Sequence, residues 1–157
     1  MLIFDMAERF LIFSIKDQRF ALPSGIIGEV TLAEKIFPLP LVPDYVLGMI
    51  NRYSIPYALI DISLFLKKDP SKTEKVIVLK DDFEKTAFLI DDVVDLVDLD
   101  SSELVKIENE SEQSANLSGF DSSISACFNF KEEKVLCLNA EEIVSRIKAD
   151  FNRGVLK

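Results

Sequence analysis

The sequence contains no histidine among its 157 residues, and it has only two cysteines. Without histidine, the Ser–His–Asp and Cys–His arrangements of nucleophilic catalysis cannot be built in their usual form. Zinc would need more ligands than two cysteines provide. The chain also lacks a glycine-rich phosphate loop and a dinucleotide-binding motif. We therefore expect a protein without catalytic residues, metal ions or cofactors.

Basic residues are scarce as well, with 18 Lys and Arg against 27 Asp and Glu, and the net charge is −9. The sequence offers no basic stripe for the phosphates of nucleic acid, and its acidity disfavours anionic membrane surfaces. No apolar run approaches the length of a membrane span. The first ten residues carry Asp5 and Glu8 without a basic segment, which is unlike a signal peptide. We expect a cytoplasmic location.

The two cysteines, Cys127 and Cys137, lie on apolar runs that flank the polar residues 131–134, a pattern that predicts a β-hairpin. Two cysteines do not form a disulfide framework. We interpret both as small buried side chains in a reducing compartment, although paired strands could bring them close together. The sequence leaves their redox state open.

Aspartate is abundant, above all in residues 90–100, where Asp92, Asp95 and Asp98 alternate with valine and leucine. One interpretation is a carboxylate site for a divalent cation, and with it a small metal-dependent hydrolase. The spacing matches no EF-hand loop, and no phosphate cradle accompanies it. Charge runs of this kind are usually solvated faces, so we favour a surface element with one wet face.

The hydrophobic pattern predicts mostly short strands. Asp61 can cap a short helical turn, and Asn139 can cap a C-terminal helix with Glu142 as its capping-box partner. That helix carries apolar side chains at i, i+4 and i+8, which predicts one buried face. The predicted fold class is therefore mostly β, with two small barrel-like sheets and a closing helix. The predicted strands occupy residues 9–16, 19–24, 26–32, 75–80, 85–90, 93–99, 126–130 and 134–138, with two more on either side of residues 51–54.

Three segments, "FLIFSIKDQRFALPSGIIGEV", "PLPLVPDYVLGMIN" and "IPYALIDI", carry motifs in a characteristic order. A strand of the form F-x-x-F precedes a hairpin and a strand that ends in Glu29 and a valine. A P-x-x-P-x-aromatic-V-x-G element follows, and Asp61 comes ten residues after Asn51. The segment "AFLIDDVVDLV" around Asp91, a later glycine at Gly119 and the closing "VLCLNAEEIV" continue the pattern. Together these motifs resemble the CheW family, the coupling proteins of bacterial chemotaxis.

This resemblance implies two SH3-like five-stranded β-barrel subdomains with a short helix and a C-terminal helix. It implies a single domain over residues 8–148, with a linker near residues 68–74 and a tail at residues 149–157. In function it implies a non-catalytic adaptor associated with membrane receptor arrays. Such an adaptor bridges the cytoplasmic hairpin tip of methyl-accepting chemoreceptors to the regulatory domain of the CheA histidine kinase. An alternative with the same fold is a module of another CheA-type signalling system, such as one for surface motility.

The resemblance also implies an apolar receptor-binding groove between the barrels, a helix-in-groove mode of recognition. Alternation alone leaves open whether the isoleucine at position 27 faces this groove or the core. We interpret the glycine at position 48 as a backbone requirement. The glutamate at position 29 either pairs with a basic group or faces solvent, which is the simpler expectation for glutamate. The groove residues implied by the resemblance are Ile27, Glu29, Gly48, Ile50, Asn51, Arg52 and Tyr53.

The family motif N-L-R-G is altered in this chain, since Arg52, Tyr53 and Ser54 stand where leucine, arginine and glycine are usual. Ala58 replaces a later proline, and Pro56 comes two residues early. A local register shift that returns Arg52 to the role of the arginine is an alternative. Either way the bend presents different groups to a receptor, because tyrosine has one hydroxyl and a broad apolar face where arginine has five donors.

Overall fold

The structure, a computed structural model, describes residues 7–106 and 122–155. Within these ranges the chain forms two β-sheets and two α-helices. The helices are α1 (Ile62–Phe65) and α2 (Ala140–Val155). The strands are β1 (Glu8–Ile15), β2 (Gln18–Pro23), β3 (Ile27–Leu32), β4 (Val46–Arg52), β5 (Ile55–Asp61), β6 (Lys75–Leu79), β7 (Thr86–Ile90), β8 (Asp92–Leu99), β9 (Val105–Lys106), β10 (Ile124–Phe130) and β11 (Glu133–Leu138).

The strands are divided between a six-stranded sheet and a five-stranded sheet. The first has the order β8–β1–β2–β11–β10–β9, in which β9 contributes only two residues, and the second has the order β3–β6–β7–β5–β4. Neighbouring strands are antiparallel except β2 with β11 and β5 with β7, which are parallel. The predicted mostly β fold with two small sheets, a short helix and a C-terminal helix is confirmed.

The chain passes between the sheets at two places. A single 3-10 turn, Ser24–Ile26, connects β2 to β3, and Asp91 alone separates β7 from β8. Asp91 is held at this crossing because its N–H donates to the carbonyl of Ser14 (2.9 Å) and its carboxylate accepts from the N–H of Lys16 (2.6 Å). Residues 68–74, the segment predicted as a linker, lie between α1 and β6 of the five-stranded sheet.

Three clusters of buried side chains stabilise the molecule. One lies within the six-stranded sheet around Phe10 and Phe128, and a second lies within the five-stranded sheet. The largest joins residues of both sheets, and α2 covers it with Ile143 and Ile147. Because successive strand residues point to opposite faces, β1 contributes to two clusters and binds the larger sheet to the shared core. The predicted apolar face of the C-terminal helix is confirmed.

The predicted cap of α2 is present, although one half of the predicted capping box is wrong. The Asn139 side-chain oxygen accepts from the N–H of Glu142 (3.1 Å). The Glu142 carboxylate, however, accepts from the hydroxyl of Ser122 (3.0 Å), and the N–H of Asn139 donates to the carbonyl of Ser123 (2.7 Å). The Glu142 carboxylate and the Asn139 N–H therefore both have partners in the segment before β10, and they do not bond to each other.

At the other predicted cap, Asp61 is fully buried and serves two segments. Its carboxylate accepts from the N–H of Leu64 in the first turn of α1 (3.2 Å) and from the N–H of Ser71 (3.0 Å). The same side chain therefore caps α1 and fixes the segment that follows it. These two hydrogen bonds offset the cost of burying the carboxylate.

Cys127 and Cys137 lie on the neighbouring strands β10 and β11 and are buried, as predicted, and both are free thiols. Burial raises the pKa of the Cys137 thiol to about 12. Helix α2 continues to Val155, so residues 149–155 of the predicted tail are helical. Gly119 lies outside the described residues. Among the residues that the structure describes, no helix has the length and apolar character needed to cross a membrane.

Candidate partner-binding site

The candidate site centres on the hairpin between β4 and β5. Arg52 pairs with Ile55 in the register, so Tyr53 and Ser54 alone form the turn. Both have left-handed backbones, with φ of 52° and 67°. Two left-handed residues are typical of a type I′ turn, in which asparagine and glycine are preferred. The turn directs the Tyr53 side chain away from the sheet, and this residue is 82% exposed.

An ion pair connects β3 and β4, which are the two edge strands of the five-stranded sheet. The guanidinium of Arg52 contacts the carboxylate of Glu29, and 24% and 31% of the two side chains remain exposed. The expectation that Glu29 simply faces solvent is therefore wrong. The contact agrees with the alternative in which Arg52 supplies the cation of the altered motif.

The aromatic ring of Tyr53 lies against the same guanidinium, with 4.9 Å between the Arg52 guanidinium carbon and the ring centroid. This distance is typical of a cation–π contact. Glu29, Arg52 and Tyr53 together line an open cleft of about 430 Å³. We call it the hairpin cleft. Its remaining lining residues are Gly28, Tyr57, Val78, Leu79, Lys80, Asp81 and Asp82.

Gly48 is required by a close approach of two backbone segments. Its φ of +144° disfavours other residues, and a Cβ atom there would lie 2.3 Å from the carbonyl oxygen of Phe37. The approach arises because Phe37 and Met49 form an isolated bridge, with N–H to carbonyl distances of 2.8 Å in both directions. Gly48 is itself buried, so it acts through the backbone, as the sequence predicts.

The remaining predicted groove residues occupy three different environments. Ile50 is only 3% exposed and lies in the core of the five-stranded sheet. Ile27 is half-buried and packs against the large shared core, whereas Asn51 is exposed. The structure therefore brings Glu29, Arg52 and Tyr53 together in one cleft. Ile50 supports the hairpin from inside and is not accessible to a partner.

Sequence reasoning missed a group of exposed apolar side chains near the same edge strands. Leu41 is the most exposed of them at 88%, and its backbone is left-handed with φ of 59°. The signal that could have found several of them is the proline-marked segment 37–44, because its apolar residues have no strand alternation to bury them. The exposed group comprises Val30, Leu32, Ile36, Phe37, Leu39, Leu41 and Ile55.

The aspartate-rich strand β8 is a solvated edge of the six-stranded sheet, as the favoured interpretation predicts. A hydrogen bond and charge from Lys75 lower the pKa of Asp92, and Arg9 lowers the pKa of Asp98 in the same way. These are surface ion pairs of the ordinary kind. In residues 7–106 and 122–155, no three His, Cys, Asp or Glu side chains are grouped to hold a metal ion.

The family model of the CheW-like domain matches residues 9–148. The fold is similar to that of the scaffolding protein TtCheW from Thermoanaerobacter tengcongensis, with a TM-score of 0.74 and 14% sequence identity. The superposition covers 85% of this chain and 90% of that chain. No curated protein matches the sequence significantly.

Two β-sheets around a shared core, with an open cleft of mixed charge at a hairpin, define the fold and its candidate site. The chain belongs to the CheW-like domain family, because the family model matches most of its length. The structural relative TtCheW is a scaffolding protein.

Proposed function

We propose that this protein is a non-catalytic chemotaxis adaptor. It bridges the cytoplasmic tip of a chemoreceptor to the regulatory domain of a CheA-type histidine kinase, on the cytoplasmic side of receptor arrays. The observation that carries this proposal is the family match over residues 9–148. Family membership supports the adaptor role, and the choice of receptor and kinase as partners rests on the motifs shared with the family.

The hairpin cleft supports the receptor half of the proposal. An interface needs accessible aromatic or apolar anchors surrounded by polar groups. Tyr53 supplies an exposed ring, and the ion pair between Glu29 and Arg52 holds a fixed charged surface beside it. We therefore assign receptor contact to Tyr53, Arg52, Glu29 and Asn51. Ile27 contributes through its accessible part, while Gly48 and Ile50 shape the hairpin.

The test is size-exclusion chromatography of the purified protein with a kinase regulatory domain, with a receptor cytoplasmic hairpin, and with both together. The proposal expects co-elution with each partner and a ternary complex. Failure to bind either partner from the organism's own chemotaxis system contradicts it. Binding only to the kinase domain of a second CheA-type system supports the alternative role in surface motility.

The same preparation tests the hypothesis of a metal-dependent hydrolase. Saturable magnesium or calcium binding, together with a chelator-sensitive turnover that is lost on joint replacement of Asp91, Asp92 and Asp95, would support an enzyme. No contact of these residues favours that hypothesis, because Asp91 fixes a chain crossing and Asp92 pairs with Lys75.

A further inference from the structure

Strand β8 forms one edge of the six-stranded sheet, where β1 is its neighbour on one side. The opposite edge of that sheet, β9, is only two residues long. The two edges of the five-stranded sheet are joined by the ion pair of Arg52 with Glu29. Among residues 7–106 and 122–155, β8 is therefore the long edge with one side open. Such an edge presents backbone N–H and C=O groups with which a strand of another chain can pair.

The side chains of β8 add to this tendency to pair. Val94 and Val97 pack against the buried cluster of the six-stranded sheet. Val93 and Leu96, by contrast, are 38% and 50% exposed. Exposed apolar side chains on an open edge favour pairing with another chain, because the new strand buries them. The apolar content of β8 is therefore that of a strand that pairs with copies of itself unless something prevents it.

Two aspartate side chains bond to the backbone of this edge. The N–H of Leu96 donates to the Asp95 carboxylate (2.7 Å), and the N–H of Val93 donates to the Asp92 carboxylate (3.0 Å). In an antiparallel pair, alternate residues direct their N–H and C=O groups away from the partner strand. An N–H that donates to a neighbouring side chain is not available to β1, so we place both groups on the open side. A new strand has to displace both carboxylates before it can bond there.

A β-bulge lies between the two bonded N–H groups. The register of β8 with β1 shifts there, because Asp95 lies opposite Ile12 and Val93 lies opposite Phe13. Val94 is therefore the extra residue on β8. A bulge bends the strand and interrupts the regular spacing of hydrogen bonds, and bulges are common at sheet edges for that reason. The bulge and the two side-chain hydrogen bonds together make the first half of β8 a poor template for another strand.

We propose that the carboxylates of Asp92 and Asp95 protect the β8 edge from pairing with a second copy of this chain, by accepting hydrogen bonds from its N–H groups. This inference does not depend on the adaptor function proposed above. The competing explanation is that the aspartates act through charge alone, since two acidic edges repel each other. Part of that charge is compensated, however, because Asp92 pairs with Lys75 and Asp98 pairs with Arg9.

The experiment compares variants of the full-length protein that share one net charge. D92A/D95A removes both acceptors, whereas D92N/D95N removes the same charges and keeps an acceptor oxygen at each position. D69A/D82A makes the same charge change at exposed aspartates outside the strands. Sedimentation velocity over a range of concentrations measures self-association, and hydrogen exchange by mass spectrometry locates the amides that become protected. Thermal unfolding checks the fold, and the single variant Asp95→Ala repeats the test with the ion pair of Asp92 and Lys75 intact.

We expect D92A/D95A to self-associate about tenfold or more tightly than wild type, with new protection of the β8 amides, and D92N/D95N and D69A/D82A to stay within about twofold of wild type. If D92N/D95N associates as strongly as D92A/D95A, charge alone protects the edge and the proposal is overturned. It is also overturned if both alanine variants of β8 associate no more than wild type does. Association that protects amides elsewhere, but not those of β8, rejects it as well.

Discussion

Arg52 on β4 forms an ion pair with Glu29 on β3, although these strands are the opposite edges of one five-stranded sheet. The sheet must curl to bring its edges so close. The bridge between Phe37 and Met49 reinforces this arrangement, because it connects the segment after β3 to β4. The curled sheet encloses its own apolar cluster, and the hairpin that carries Tyr53 projects from its rim.

The ion pair should contribute to stability through a measurable coupling between its two residues. A double-mutant cycle with Glu29→Ala and Arg52→Ala should give a coupling free energy of about 1 kcal/mol, since both side chains are largely shielded from water. The free energy of unfolding is measured by urea denaturation. The pair of Arg9 and Asp98, with 57% and 53% of the side chains exposed, serves as the control and should show much weaker coupling. Purely additive effects at Glu29 and Arg52 would contradict the prediction.

Gly48→Ala should destabilise the protein by about 2 kcal/mol or more, because the new Cβ meets a backbone oxygen in a conformation that L side chains rarely adopt. The control is Gly25→Ala, since a Cβ at that position has no atom within 4 Å. This variant should unfold close to the wild-type midpoint. If the two variants lose similar stability in urea, the close approach at Phe37 is not the reason for the glycine.

Ser54→Gly should stabilise the protein by about 0.5–1 kcal/mol, because glycine adopts a left-handed backbone without steric cost. Glu132→Gly in the turn between β10 and β11 should have a similar effect, since Glu132 has φ of 68°. Thermal unfolding of the two variants provides the measurement. A lower midpoint for both would show that the entropy lost by glycine on folding exceeds the strain that is relieved.

Tyr45→Phe should cost about 1–2 kcal/mol at pH 7, because it removes a hydrogen bond to the Asp150 carboxylate. Burial and this bond raise the Tyr45 pKa in the folded state. The unfolded tyrosine loses its proton near pH 10, whereas the folded one keeps it, so this stabilisation is complete below about pH 10 and is lost as the pH rises further. Urea unfolding between pH 7 and 11 should therefore show the wild-type advantage shrinking above pH 10. If the difference in the free energy of unfolding between wild type and Tyr45→Phe stays constant across that range, the Tyr45 pKa is not raised in the folded state.

Tyr53→Ala should weaken receptor binding by about 1–3 kcal/mol, the range for a central aromatic anchor. Tyr53→Phe keeps the ring and is the matched control. The affinity for the kinase regulatory domain should barely change, because the proposal assigns Tyr53 to receptor contact alone. Titrations at low and moderate salt should also show weak salt dependence, since apolar contacts are not screened. If Tyr53→Ala binds the receptor as tightly as wild type does, the Tyr53 ring is not the anchor, and Arg52 is the contact residue instead.

The sequence determined the local features of this protein. The alternation of apolar and polar residues predicts most of the strands, because every second side chain of a strand points to the same face of the sheet. Asp61 and Asn139 cap their helices through contacts only three residues away, so their roles are visible in the chain itself. The requirement for glycine at Gly48 follows from a shared motif, and the structure supplies its reason in the Phe37 carbonyl.

Tertiary structure decided which of the predicted groove residues are exposed. Alternation assigns a residue to one face of a strand, but it cannot tell whether that face borders the enclosed core or an open cleft. The resemblance implies a groove role for Ile50, whereas the structure buries this side chain. Glu29 and Arg52 are 23 residues apart and meet only because the sheet curls.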